Sequence, residues 1–231
     1  MKIVKNEKLI KRNSQIGQWT SLGALLILGG GMYISFSKPE LFSYSLIALV
    51  TGFMLTQVGM YFGNRFGRSP RPDEKLDAGL KGLPGDFTMY HYITPVSHLL
   101  VGPAGIWVII PMRQRGKISY KNNRWKLTGG GFAQSYMSIF GQEGLGRPDL
   151  DVQNNVDATT KFLGQKMSGA EVPEVQGILV FTHDEVEIEP NDSPIPALPL
   201  KKLKEFMRQK AKEQIISALT LLTINAVFPN N

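Results

Sequence analysis

Two long runs without a charged residue constrain what this chain can fold into more than any other feature of the sequence. The first extends from Gly17 to Ser37 and the second from Leu41 to Asn64. Each exceeds the roughly 20 apolar residues that a helix needs to cross the hydrocarbon core of a bilayer. The short connection Ser37-Lys38-Pro39-Glu40 makes two such helices antiparallel neighbours. We therefore predict a transmembrane hairpin over residues 17–64, with helices over 17–37 and 41–63.

Basic residues flank the two runs and set the predicted orientation. Positive charge close to the ends of transmembrane helices marks the cytoplasmic side, and the loop between the runs carries one lysine and one glutamate. We therefore predict a multi-pass protein of the cell membrane, with a basic cytoplasmic N-terminus over residues 1–16 and a basic linker over 65–72. The flanking cations are Lys2, Lys5, Lys8, Lys11 and Arg12 before the first run and Arg65, Arg68 and Arg71 after the second.

A secretory signal peptide is the alternative interpretation of the first run. Its apolar core is usually about 7–15 residues long and ends in a small-residue cleavage site. The run here is longer and a second one comes directly after it, so two transmembrane helices are favoured.

Small residues recur at helical spacing along the second run. Such stripes let helix backbones approach closely within lipid. They predict either packing against the first helix, where Gly29-Gly30-Gly31 offers a matching surface, or association of two copies of the chain. The stripe comprises Ala48, Gly52, Thr56, Gly59 and Gly63.

The remaining sequence alternates between helical and strand patterns, which indicates an α+β domain over residues 73–231. The chain has no cysteine, which excludes disulfides and thiol chemistry, and its net charge of +7 suits an anionic partner. We predict an antiparallel meander, then a helix, a central strand, a basic C-terminal helix and a final apolar segment. The predicted elements are a helix over 73–82, a strand over 87–94, a hairpin of two apolar strands around Gly102-Pro103-Ala104-Gly105 with a three-residue loop, a hairpin around Asn122-Asn123, a helix over 149–167, a strand over 175–182, a basic amphipathic helix from Lys201 and an apolar segment over 215–228 that packs on the sheet.

Three motifs in this domain resemble a known family. A histidine precedes an apolar strand at His98, a Gly-Pro-x-Gly turn comes next, and a second apolar strand ends at Pro111-Met112-Arg113. With Glu74 at the opening of the first helix, this order resembles the nuclease-related domain (NERD) over roughly Asp73 to Phe228. The resemblance implies a restriction-endonuclease-like fold, in which helices flank a mixed sheet. Pro148 and Gln153 are similar to residues at the start of the family's second helix.

The departures from the family pattern fall on its metal site. The family carries an aspartate where this chain has Ser97, and Glu-x-Lys where it has Pro111-Met112-Arg113. Serine and proline cannot replace two anionic metal ligands, and an arginine does not deprotonate to act as a base. The family-matching remnants are Glu74, His98 and Arg113, with losses at Ser97 and Pro111.

This deficit predicts a catalytically inactive domain that needs no metal or cofactor and acts as a nucleic-acid-binding or scaffold module. DNA or RNA is its predicted partner besides the lipid bilayer. The alternative is a membrane-tethered nuclease that uses Mg²⁺ or Mn²⁺ at a rearranged site, rescued by carboxylates such as Asp149 or Asp151. The candidate nucleic-acid-binding residues are Arg113, Arg115, Lys117, Lys121 and Arg124.

Two further patterns argue against other chemistry. The histidines His91, His98 and His183 are too far apart in sequence for a local zinc pair, so each is interpreted as a core or surface histidine. The triplet Gly129-Gly130-Gly131 lacks a subsequent Gly-Lys-Ser/Thr, so we predict flexible chain there and not a phosphate-binding loop.

Overall fold

The computed structural model of the chain describes residues 1–128, 145–167, 172–189, 193–213 and 216–228. The prediction for Gly129-Gly130-Gly131 lies outside these residues. The chain forms two compact units: a helical unit, Glu7–Arg71, and an α+β unit that combines Met1–Asn6 with Pro72–Asn231. Residues 1–16, predicted as one segment, are therefore divided between the two units.

The helical unit contains two helices that are long and apolar enough to cross a membrane. Helix α1 comprises Glu7–Ser37 and helix α2 comprises Phe42–Phe62, with a 3₁₀ turn at Pro39–Leu41 between them and a π-helical turn at Gly63–Gly67 after them. Helix α1 begins ten residues before the predicted span, because its basic flank continues the same helix. Many large apolar side chains on both helices are exposed; Phe36, for example, is 79% exposed, as expected for a surface that faces lipid.

The small-residue stripe on α2 packs against α1. A Cβ atom on Gly31 would lie 2.7 Å from the Cβ of Ala48, and one on Gly52 would lie 2.5 Å from the Cγ of Leu28. The Ser45 hydroxyl also donates a 2.9 Å hydrogen bond across the hairpin to the Gly31 carbonyl. In contrast, a Cβ on Gly29 or Gly30 would meet nothing within 4 Å, so Gly31 alone of the predicted triplet makes this close contact.

The α+β unit is built on a six-stranded mixed sheet with the order β1-β2-β3-β4-β7-β9. Strands β2, β3 and β4 are antiparallel, whereas β1 is parallel to β2, and β7 is parallel to both β4 and β9. The mixed sheet and flanking helices predicted for this part of the chain are confirmed. The strands are β1 Lys2–Lys5, β2 Thr88–His91, β3 His98–Gly102, β4 Gly105–Met112, β7 Val175–Phe181 and β9 Ala197–Pro199.

Helices cover both faces of this sheet. Helix α3 (Pro72–Leu80) and helix α5 (Leu200–Lys212) pack on one face, against Leu100, Trp107 and Ile109. Helix α4 (Pro148–Lys166) and helix α6 (Ala218–Val227) pack on the other, against alternate residues such as Val101 and Val108. Because β4 lies between two strands and under helices on both sides, Ile106 to Ile109 are all at most 2% exposed, as the continuous apolar run predicts.

The β3–β4 hairpin forms at the predicted turn. Gly102 and Gly105 are register partners and Gly105 has a φ of 111°. The pairing leaves Pro103 and Ala104 between them, one residue fewer than the predicted three-residue loop.

The predicted antiparallel meander holds for β2, β3 and β4 and is wrong beyond them, because β4 does not pair with the next strand. Its free edge is taken by β7 over seven register pairs. Strands β5 (Gly116–Lys121), β6 (Arg124–Thr128) and β8 (Val186–Ile188) form a second sheet, with the order β6-β5-β8. The predicted β5–β6 turn is confirmed, since Asn122 and Asn123 both have positive φ, 54° and 60°.

Two other elements differ from the predictions. Strand β1 is not evident in the sequence, because it lies among basic residues that also mark the flank of a membrane helix. The strand predicted over 87–94 ends at His91, since Tyr92 has a φ of 60° and turns the chain away.

The basic helix predicted from Lys201 is confirmed as α5, and the apolar segment predicted after it contains helix α6. Leu203 and Met207 of α5 are fully buried and Phe206 packs edge-to-face on Trp107, with ring centroids 5.3 Å apart. The apolar side of the basic helix is therefore used in the core, which leaves its polar side in solvent. In α6, the buried side chains include Ile224.

Candidate functional site

Two of the positions that carry the sequence resemblance, His98 and Pro111, lie towards one end of the large sheet. Strand β3 begins at His98 and antiparallel β4 ends at Met112, so these two ends lie at the same edge. Trp107 and Ile109 face α3 and α5, and alternation places Pro111 on that face as well. Glu74 lies, half-buried, in the first turn of α3, which covers this face.

Two of the three histidines, interpreted separately in the sequence, form a buried pair at this edge. His91 and His98 are register partners in β2 and β3, and their Nδ1 atoms are 2.7 Å apart. Both side chains are buried. At this distance the Nδ1–H of one ring must donate a hydrogen bond to the Nδ1 of the other.

An ionic chain continues from the histidine pair to the N-terminal strand. The Nε2 of His91 lies 2.9 Å from Oδ1 of Asp77, and Oδ2 of Asp77 lies 2.6 Å from Nζ of Lys5. The Lys5 ammonium also donates a 3.0 Å hydrogen bond to Asp73, which is fully buried. We call Lys5, Asp73, Asp77, His91 and His98 the Lys5 network.

The electrostatics of the Lys5 network are set by its single lysine. Burial lowers the pKa of Lys5, but hydrogen bonds from its ammonium to Asp77 and Asp73, and their charges, outweigh burial and raise the pKa above the usual 10.5. The lysine therefore stays charged and compensates two carboxylates that would otherwise attract a cation. Among the residues that the structure describes, no group of three or more His, Asp or Glu side chains is arranged to hold a metal ion.

The rescue of a metal site by Asp149 or Asp151 is not supported by their positions. Both lie in the first turn of α4, which covers the opposite face of the sheet from α3. Asp149 accepts hydrogen bonds from Arg147, the shorter at 3.1 Å, and the pKa of this carboxyl is lowered chiefly by that guanidinium. His183 is also engaged locally, since its Nδ1 accepts a 3.2 Å hydrogen bond from the Glu185 amide.

The predicted nucleic-acid-binding residues lie on and beside the small sheet. Lys117 and Lys121 alternate with inward-facing residues on β5, and Arg124 is the register partner of Lys121. Lys126, absent from the predicted set, lies on the same face of the sheet by the same alternation. On the other face of the small sheet, Ile118, Tyr120 and Trp125 pack in a hydrophobic cluster separate from those of the large sheet. We call Lys117, Lys121, Arg124 and Lys126 the β5–β6 basic surface. Arg113 and Arg115 are exposed in the connection between β4 and β5.

One carboxylate partly neutralises the β5–β6 basic surface. Glu189, directly after β8, lies 2.8 Å from Nζ of Lys117 and 3.5 Å from Nζ of Lys121. The hydrogen bond to Lys117 lowers the pKa of Glu189 and raises the pKa of Lys117. The surface can therefore bind phosphate, but Glu189 competes for two of its cations.

Sequence reasoning identified His98 and missed the rest of the Lys5 network. Asp73 and Asp77 have an i, i+4 spacing that places them on one side of α3, a signal that was available. The contribution of Lys5 had no such signal, because it depends on the pairing of β1 with β2.

Comparison of the chain with known protein families, curated proteins and solved structures finds no match to any of them.

Proposed function

We propose that the chain is an integral membrane protein whose helices α1 and α2 cross the bilayer as a hairpin, with both ends in the cytoplasm. The pairing of β1 with β2 carries the proposal. Strand β1 precedes α1 and β2 comes after α2, yet they are register partners from Lys2–Thr88 to Lys5–His91. Both ends of the hairpin belong to one sheet, so they lie on one side of any membrane. An even number of crossings satisfies this condition, and the basic flanks favour the cytoplasm.

The same pairing argues against a cleaved signal peptide. Cleavage after α1 would remove β1 and with it Lys5, which leaves Asp73 buried without its ammonium partner. Removing the opposite charge from beside a buried carboxylate destabilises the folded protein.

The α+β unit acts, in this proposal, as a NERD-like module with a restriction-endonuclease-like fold. Support comes from the order of its elements along the chain: helix α3, the strands β2 to β6, helix α4 and strand β7. The resemblance in the sequence implies this order.

The module binds nucleic acid or serves as a scaffold, and it does not cleave phosphodiesters. Two observations support this function: the Lys5 ammonium compensates the carboxylates Asp73 and Asp77, and the β5–β6 basic surface places several cations on one side of a sheet. Phosphate contacts of that kind make affinity fall steeply with salt.

The experiment uses the full chain in nanodiscs, because β1 is part of the domain. Labelled DNA and RNA, single- and double-stranded, are incubated with the protein and Mg²⁺ or Mn²⁺. We expect salt-sensitive binding without cleavage. Replacing Lys117 and Lys121 with Gln should reduce the slope of log affinity against log salt by at most about 2, because Glu189 competes with phosphate for both lysines. Lys161→Gln with Lys166→Gln on α4 should leave the slope unchanged.

Two outcomes would change the proposal. Metal-dependent cleavage that Glu74→Ala abolishes would establish the nuclease alternative. Absence of salt-sensitive binding would remove the nucleic-acid partner and leave a scaffold that contacts protein.

The membrane topology is tested by single cysteines, since the native chain has none. Cysteines replace Lys8, Lys38 or Asn123, and intact cells are treated with a membrane-impermeant maleimide. We expect labelling at residue 38 alone. Labelling at both residue 8 and residue 123 but not at 38 would reverse the orientation, and labelling at only one of 8 and 123 would refute the hairpin.

A further inference from the structure

Helix α5 presents a row of cations on its solvent side. Its buried residues, Leu203 and Met207, are four positions apart and define the core side. Lys201, Arg208 and Lys212 lie away from that side at helical spacing and Lys204 lies half-buried at its border; we call these four residues the α5 basic face. Over eleven residues at 1.5 Å each, the row extends about 16 Å.

Lys201 forms an exposed ion pair with Asp184, at 3.0 Å, but Lys204 and Arg208 are held mainly by uncharged acceptors. Lys204 donates a 3.3 Å hydrogen bond to the Lys81 carbonyl, and Arg208 donates a 3.0 Å hydrogen bond to the Gly82 carbonyl. Carbonyl acceptors hold these side chains in place while their full charge remains. They also bring exposed Lys81 beside the row. The ion pair of Arg208 with Glu205 is loose, at 4.0 Å, and exposed, so it neutralises little.

The covalent connections to the membrane helices are short. Asn6 alone separates β1 from α1, and four residues, 68–71, separate the π-helical turn from α3. Four extended residues reach at most about 14 Å. Wherever the helices leave the bilayer, the cations of the α+β unit are therefore held at a high effective concentration next to lipid headgroups.

We propose that the α5 basic face docks on anionic lipid headgroups of the bilayer that holds α1 and α2. This inference rests on the membrane insertion proposed above. The docking is electrostatic and peripheral, because the apolar side of α5 is used in the protein core and has nothing left to insert. Lipid is favoured over nucleic acid as the occupant because the tether supplies lipid phosphates continuously, whereas a nucleic acid must bind from solution.

The test measures energy transfer from a fluorophore on the protein to an acceptor on lipid headgroups. Gln209→Cys places the label on the solvent side of α5, and Asn154→Cys on α4 provides a reference on the other face of the sheet. The full chain is inserted into nanodiscs of phosphatidylcholine, with or without phosphatidylserine. We expect transfer from residue 209 to rise with phosphatidylserine and to fall again in high salt, with a smaller change at residue 154.

Charge variants identify the cations responsible. Each basic residue near an anionic surface contributes about a fivefold change in the docking equilibrium. The triple variant Lys204→Gln, Arg208→Gln, Lys212→Gln should therefore reduce docking roughly a hundredfold. Exchanging Lys204 and Lys212 for Arg should preserve it. The matched control Arg147→Gln, Lys161→Gln, Lys166→Gln removes the same charge from exposed positions on and beside α4 and should behave as the native chain.

The inference is overturned if transfer from residue 209 does not depend on lipid charge, or if the matched control loses as much as the triple variant. It is also overturned if a labelled oligonucleotide binds through these three cations while lipid charge has no effect, because the face would then be a nucleic-acid surface. Co-elution of the protein with the nanodisc tests membrane insertion separately from docking of the α5 basic face. A chain that does not stay in the disc would refute the membrane insertion on which the docking proposal rests.

Discussion

The Lys5 ammonium lies 2.6 Å from a carboxylate oxygen of Asp77, and this pair joins the strand before the α1–α2 hairpin to the helix after it. The Asn6 amide also donates a 3.1 Å hydrogen bond to the His91 carbonyl. These two contacts hold the end of β1 against the sheet just before α1 begins. The N-terminal residues are therefore a structural part of the α+β unit and not a free cytoplasmic tail.

Replacing Lys5 with Met should destabilise the α+β unit by about 3 kcal/mol, because it leaves buried Asp73 without its counter-charge. The measurement is denaturant unfolding of the full chain in detergent, monitored by tryptophan fluorescence. Lys8→Met, an exposed change of equal charge, should have little effect. Restoring neutrality with Asp73→Asn in the Lys5→Met background should recover part of the loss. Equal stability of the two single variants would show that the pair contributes nothing.

Tyr90 should make the α+β unit sensitive to alkali. Burial raises the pKa of its phenol from 10 to about 12. Between these values the folded state keeps a proton that the unfolded state has lost, so the free energy of unfolding is intact below pH 10 and falls as pH rises towards 12. The two pH units correspond to at most about 3 kcal/mol. The pKa of Lys5 is also raised, so its contribution to the free energy of unfolding is intact below pH 10.5 and is lost as pH rises above that value.

Tyr90→Phe isolates the phenol from other alkaline effects. It removes the 2.8 Å hydrogen bond to Asn225 and should cost about 1 kcal/mol at neutral pH. Above pH 10 the difference between the two proteins should shrink, as unfolding free energies measured across pH would show. A constant difference up to pH 12 would contradict the raised pKa.

The two histidines should adopt different tautomers while both rings are neutral. An ionised Asp77 accepts a hydrogen bond from Nε2–H of His91, so the Nδ1 of His91 must accept a hydrogen bond and the Nδ1–H of His98 must donate it. Nitrogen-15 NMR of the histidine rings distinguishes the two forms. In Asp77→Asn the preference of His91 should weaken, and the same tautomer in both rings of the native protein would be incompatible with the pair.

Gly59→Val should weaken the packing of α1 on α2 by about 1–3 kcal/mol. A Cβ at this position would overlap the hydroxyl of Ser21 and lie 3.1 Å from its backbone nitrogen, which cannot move freely. Gly30→Val, where a Cβ meets nothing within 4 Å, is the matched control. Thermal unfolding in a mild detergent measures both. If Gly30→Val were instead the harmful change and also reduced the mass of the particle, glycines on α1 would serve association of two copies.

Glu189→Gln should strengthen nucleic-acid binding by the β5–β6 basic surface, because it releases Lys117 and Lys121 from a competing carboxylate. The slope of log affinity against log salt should steepen by up to about 2. Filter binding across a salt series measures it, with Glu174→Gln, exposed elsewhere, as the control. An unchanged slope would mean that these lysines do not contact phosphate.

Local patterns predicted several elements well. The apolar run around Trp107, the Asn122-Asn123 turn and the amphipathic residues from Lys201 each depend on neighbours within a few positions, so their conformation is encoded locally. The meander prediction failed because strand adjacency is not local: β4 could pair with β5 or with β7, and the longer parallel pairing with β7 prevails in the fold. For the same reason the sequence could not associate His91 with His98 or either with Lys5.

The sequence by itself determined the two apolar helices, their antiparallel hairpin and the mixed α+β character of the remaining chain, because uncharged length and hydrophobic periodicity are properties of contiguous residues. Only the tertiary structure decided that Lys2–Lys5 closes the sheet of a domain whose other elements begin at Pro72. A strand at a sheet edge is selected by backbone hydrogen bonds to a distant partner, and a lysine in such a strand acquires its role from the carboxylates that the fold brings beside it.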